Sequence, residues 1–127
     1  MKKSIYILFA GAFLITSCAH DPEPEPASPE IDVTAPSVVV FNNGDTIHME
    51  ATLRDEDELH EALVMVNSST DTFFIYDPYV HELDSFVVDT FWVVNGITGD
   101  TPAFTTFNAE NHHEKSTTIN LSILLKL

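Results

Sequence analysis

The sequence predicts an all-β fold, an antiparallel β-sandwich of about seven strands, and three observations carry that prediction. Thr46–Leu53 and Thr117–Leu127 alternate apolar and polar residues, the pattern of strands buried on one face. Short β-rich runs recur from Pro36 onward, divided by Asn, Gly, Asp and Pro turn residues, which is the rhythm of a sandwich. The apolar share is 44%, with nine Phe, so a domain of this size has enough to bury.

The first segment is not part of that domain. Lys2 and Lys3 precede an uncharged run from Ile5 to Ile15. A positive start, an apolar middle and small residues at the end read as a secretory signal peptide over 1–17. Its apolar run rises about 16 Å as a helix, against a bilayer core of about 30 Å, which favours a signal peptide over a span. Ile15-Thr16-Ser17-Cys18 resembles the lipobox of bacterial lipoproteins. The resemblance implies cleavage before Cys18 and acylation of its thiol, and two or more acyl chains anchor a protein stably. Cys18 is the sole cysteine, so no thiol remains for a disulfide, a thiolate metal site or a nucleophile.

Residues 18–35 then read as the acylated cysteine and a linker. His20 to Glu30 holds four prolines and four acids. With little to bury and a bias to polyproline II, it is expected as a disordered, semi-stiff acidic tether. Acids soon after an acylated cysteine also resemble the surface-export signal of Bacteroidota-type lipoproteins. That likeness implies the cell outer membrane, with the exposed face favoured over the periplasmic one. Once 1–17 is removed, Arg54, Lys115 and Lys126 stand against all 20 acids, a formal charge of −17. Such a chain repels nucleic acid and anionic head groups. Cations, basic protein surfaces and neutral glycans remain as partners.

Residues 36–127 are expected to form the sandwich. Asn42-Asn43-Gly44-Asp45 is turn chemistry between strands at Ser37–Phe41 and Thr46–Leu53. Ile47, Met49, Ala51 and Leu53 share one face of the second. From Glu58 to Asn67 the spacing of Leu59, Ala62, Leu63 and Val66 suits a helix, while Leu63-Val64-Met65-Val66 suits a strand. We favour a turn at 56–60 and a strand from Glu61 to Val66. Thr72–Tyr76 ends at Asp77-Pro78. Residues 86–94 are apolar on both faces, which predicts a strand packed on both sides. Thr105–Ala109 and Thr117–Leu127 complete the set, with Ile119, Leu121, Ile123, Leu125 and Leu127 inward.

Gly44 to Ala51 running into Asp55-Glu56-Asp57-Glu58-Leu59, then Leu63 to Val66, resembles strands B and C of bacterial Ig-like and cadherin-like domains. Phe107-Asn108-Ala109-Glu110-Asn111 before the terminal strand resembles their last hairpin. The likeness spans Pro36–Leu127 and implies an Ig-like sandwich; the paired cysteines and packed Trp of true immunoglobulin domains are absent. Cadherin-like domains hold calcium in acidic loops at the sandwich end. By resemblance Asp55, Asp57 and Glu110 are the candidate ligands, since Ca²⁺ takes six to eight oxygens; the alternative is a solvated loop.

Histidines offer a second metal chemistry. His60-Glu61, His81-Glu82 and His112-His113-Glu114 each set an imidazole beside a carboxylate, and neutral imidazoles bind Zn²⁺ or Cu²⁺. The candidate ligands here are His112, His113 and Glu114. No nucleophile elbow or phosphate-cradling loop occurs, so no catalytic role is expected. Phe73, Phe74, Tyr76, Tyr79, Phe86, Phe91 and Trp92 are expected mostly in the core; an exposed subset would mark a protein or glycan surface. The expected function is a lipid-anchored envelope binding or structural module, or alternatively a divalent-cation-binding lipoprotein, calcium ahead of zinc or copper.

Overall fold

The structure, a computed structural model, describes residues 21–127; the segment expected to be a signal peptide, and Cys18, lie outside the described residues. Among the described residues seven strands follow one another without a helix: β1 Glu30–Ala35, β2 Val40–Asn42, β3 Thr46–Asn67, β4 Thr72–Tyr76, β5 Leu83–Val93, β6 Thr101–Asn111 and β7 Ser116–Lys126.

β3 organises the rest. The first half of its 22 residues pairs with β1 and β5, and its second half with β4 and β6. β6 continues to β7, and β7 to β2. Between the halves the register shifts at Arg54/Leu59 and Leu59/Glu61, and Glu58 takes φ 66°. These bulges change which residues face inward. Ile47, Met49, Ala51 and Leu53 are buried before the bend, and Ala62, Val64 and Val66 after it. An unbroken period of two would instead have turned Leu63 and Met65 inward. Both halves therefore line one core, with Val88, Ala103, Phe107, Ala109, Ile123 and Leu125.

Among the described residues only strands and their connections are present to cover that face, so the sheet closes over itself. β1–β3–β5 forms one layer and β4–β3–β6–β7–β2 the other. This is the pairing of an Ig-like sandwich, with one strand of the seven serving both layers.

The structure corrects several expectations. Residues 30–35 belong to the sheet and not to the tether: Ile31 and Val33 pack on the core while Glu30 lies opposite Arg54. The sheet is mixed, because β2 runs parallel to β7, and β2 is only three residues long. The turn expected at 56–60 is a bulge within a continuous strand. β5 is an edge strand: Val88 is buried, yet Val87 and Phe91 are 65% and 60% exposed. Leu127 is exposed, beyond the last paired residue. Tyr79 is exposed as well, while Phe73 stacks on Trp92 with centroids 5.8 Å apart.

Residues 21–29, ahead of β1, have no regular structure but are held to the β6–β7 end. Asn111 Nδ2 donates to Ala27 O at 2.9 Å, and Thr117 Oγ1 donates to Pro29 O at 2.5 Å. Lys115 Nζ donates to the Glu25 carboxylate. That hydrogen bond, and then the lysine charge, hold the Glu25 carboxyl below its ordinary range. A carboxyl lowered in the folded state contributes to docking above the ordinary range and loses that contribution as pH falls through the lowered value.

Two outcomes are expected. Phe107→Ala, at a fully buried core position, should cost about 3–5 kcal/mol in chemical denaturation, and Ser122→Ala on the exposed face no more than about 0.5 kcal/mol. In an NMR titration the Glu25 carboxylate should titrate below the ordinary glutamate range, and Lys115→Met should return it to that range.

Candidate metal centre

The end of the sandwich near the β3 bend is built on two residues, Leu59 and Asn111. Leu59 is fully buried and pairs with Leu83 on one side and with Asn111 on the other. Glu82 N donates to Leu59 O at 3.1 Å, which closes the β4–β5 connection onto the bend. Each of three histidines stands next to this row: His60 follows Leu59, His112 follows Asn111, and His81 precedes Leu83 by two.

Asn111 is fully buried and uses its whole amide. Nδ2 donates to Asp55 Oδ2 at 3.0 Å and to Ala27 O. Oδ1 accepts from His113 N and Lys115 N, both at 3.0 Å. A buried amide with every group satisfied fixes what it touches. Here it joins the bend, the β6–β7 turn and the tether.

The three rings meet. His60 Nδ1 and His81 Nδ1 are 3.2 Å apart, and the ring centroids of His60/His81, His60/His112 and His81/His112 are separated by 5.2, 5.1 and 4.8 Å. One nitrogen from each lies within 4.8 Å of the other two. Tetrahedral ligands bonded at 2.0–2.1 Å stand about 3.4 Å apart. The His60–His81 pair is thus already at ligand spacing, and His112 needs only a short approach. Glu58 Oε2 is 3.9 Å from His112 Nε2, and Glu82 Oε1 is 3.8 Å from His81 Nε2. An open groove lined by His60, Glu61, Leu63, Tyr79, His81 and Asn108 runs alongside.

The backbone is strained at this end. Glu58, Glu82 and Glu114 have φ of 66°, 66° and 58°, and among the described residues no other non-glycine has a positive φ. Each is within two residues of one of the three histidines. The left-handed region costs about 1–2 kcal/mol per ordinary residue, and such strain persists where the surroundings impose it, commonly at functional sites.

The sets expected from sequence do not gather. Asp55 is buried, its carboxylate accepting from Asn111 and, at 2.7 Å, from Asp57 N. It braces the bend. Asp57 lies 3.9 Å from His113 Nε2. Glu110 sits on β6 opposite Glu61 and Ser116, one residue out of phase with Asn111. Among the described residues, no convergent group of ligand atoms contains Asp55, Asp57 or Glu110. His112 and His113 diverge to different neighbours, and Glu114 is exposed in the turn. His60 and His81 are the residues that sequence alone leaves out of the ligand set, because strand register brings them together.

Among the described residues the other group within ligand distance is His48, Glu50 and Asp89. Its ring lies between two carboxylates, Nδ1 3.2 Å from Glu50 and Nε2 3.0 Å from Asp89. With a carboxylate at each nitrogen, the ring bridges β3 to β5 and is already engaged by the two groups that would share an ion with it.

No protein-family model matches this chain, and no curated protein is similar to it.

Asn111→Ala should destabilise the domain by at least about 1–3 kcal/mol in denaturant titrations, since it strips Asp55 of its buried donor.

Proposed function

We propose that the protein is a lipid-anchored envelope module that binds a divalent transition metal through His60, His81 and His112. The observation that carries this reading is the meeting of three imidazoles, one from the β3 bulge and two from separate connections, with two of the rings already at ligand spacing. Three nitrogen donors suit Zn²⁺ or Cu²⁺, whereas Ca²⁺ requires an oxygen cage. Glu58 is the carboxylate placed to complete a four-ligand set beside His112. The module has a binding role and no catalytic one, and its anchor is Cys18, by the lipobox resemblance.

Acid weakens such a site, because a ligating nitrogen must be free of its proton. The surrounding charge favours cations: Glu58, Glu61, Glu82 and Asp77 lie near the rings or along the groove.

Calorimetric titration with Zn²⁺ and with Cu²⁺ tests the reading. One metal per chain is expected, with no heat from Ca²⁺. His112→Ala should weaken binding by at least about tenfold, the lower bound typical even for outer-shell partners of a metal. His113→Ala, whose ring lies beside Asp57, should leave it unchanged. Equal losses at the two positions, or no binding of either metal, would remove the site. Separately, Cys18→Ser should end incorporation of labelled fatty acid and release the protein from membranes; continued labelling would refute the anchor.

A further inference from the structure

Resting on that metal reading, we infer that metal loading drives docking of the tether, with Asn111 as the joint between them. The β6–β7 turn belongs to both processes. On one side it carries His112 toward His60 and His81. On the other it holds the segment before β1 through Asn111 to Ala27, Thr117 to Pro29 and Lys115 to Glu25.

The coupling is a matter of hydrogen-bond satisfaction. Asn111 Oδ1 sets the turn backbone by accepting from His113 N and Lys115 N, the residues that follow His112. The same amide spends one N–H on Asp55 and the other on Ala27 O. When the tether leaves, a fully buried residue loses an acceptor. The turn must then open to water or carry an unmade bond, and His112 loses its fixed position. Conversely, a metal that joins His112 to His60 and His81 freezes the turn in the form that presents Asn111 Nδ2 to Ala27 O. Linkage makes the effect reciprocal: whatever factor the metal adds to docking, docking adds to metal affinity.

The consequence is a change of reach. With Cys18 in a membrane, residues 19–29 form the free spacer when undocked, about 34 Å at about 3.1 Å per residue. Docking from Glu25 onward leaves residues 19–24, about 19 Å. The loaded domain is thereby drawn about 15 Å closer to the membrane than the empty one.

Amide hydrogen exchange on the full chain, paired with zinc calorimetry, tests this. Adding Zn²⁺ should slow exchange of the Asn111 side-chain amide proton that donates to Ala27 O, read by NMR, by about fivefold or more, the lower end of usual coupling factors. Thr117→Val removes a docking bond without touching a ligand, and Glu25→Gln weakens another at an exposed side chain; each should reduce zinc affinity, and the pair together more. Zinc heat with unchanged exchange at that Asn111 proton would overturn the coupling and leave the metal site standing. Zinc affinity unaltered in the double variant would overturn it as well. No zinc heat at all would overturn both.

Discussion

The bulged bend of β3 is the constraint on which the other strands depend. A strand that serves two layers must carry its apolar face around a corner, and a period of two cannot do this without a phase change. The shifts between Arg54 and Glu61 supply it, so that Ile47 to Leu53 and Ala62 to Val66 face one core. β1 and β5 then take the edges of the first half, and β4 and β6 those of the second. The extra backbone expelled by the bulge also lies at the end where His60, His81 and His112 collect. Fold and site thus share one cause.

Bending a strand leaves polar backbone and side chains to be satisfied inside. Asp55 points inward at the bend, where an isolated carboxylate would be costly. Asn111 and the Asp57 amide answer it. Asn111 in turn reaches the β6–β7 turn and the segment before β1. The end of the sandwich is therefore a polar network resting on an apolar one, with Leu59 as their common floor.

Much of the fold was legible because alternation records which face is buried. β7 and the first half of β3 were read nearly to their ends, and Gly44 at φ 93° sits in the turn that Asn42 to Asp45 announced. β1 was hidden by the proline-rich composition before it, although Ile31 and Val33 alternate with Asp32 and Thr34. β5 misled for the opposite reason: Val87, Phe91 and Val93 are apolar yet face solvent. The site was legible only as ingredients. Pairing each histidine with its sequence neighbour grouped atoms that do not converge, since Leu59 opposite both Leu83 and Asn111 is a fact of register. Asp55 looked like a surface ligand because nothing local reveals that the bend turns it inward.

The outward side of β5 has a colloidal consequence. Val87, Phe91 and Val93 line a strand that, among the described residues, has β3 as its single partner. Such an edge is a template for pairing with other chains. What opposes contact between copies is their common negative charge, −15 over the whole sequence. That repulsion is long-ranged only in dilute electrolyte, and its range shrinks to about 8 Å at physiological ionic strength. The net charge thus opposes association, and salting or acidifying a concentrated solution brings these strips within reach of one another.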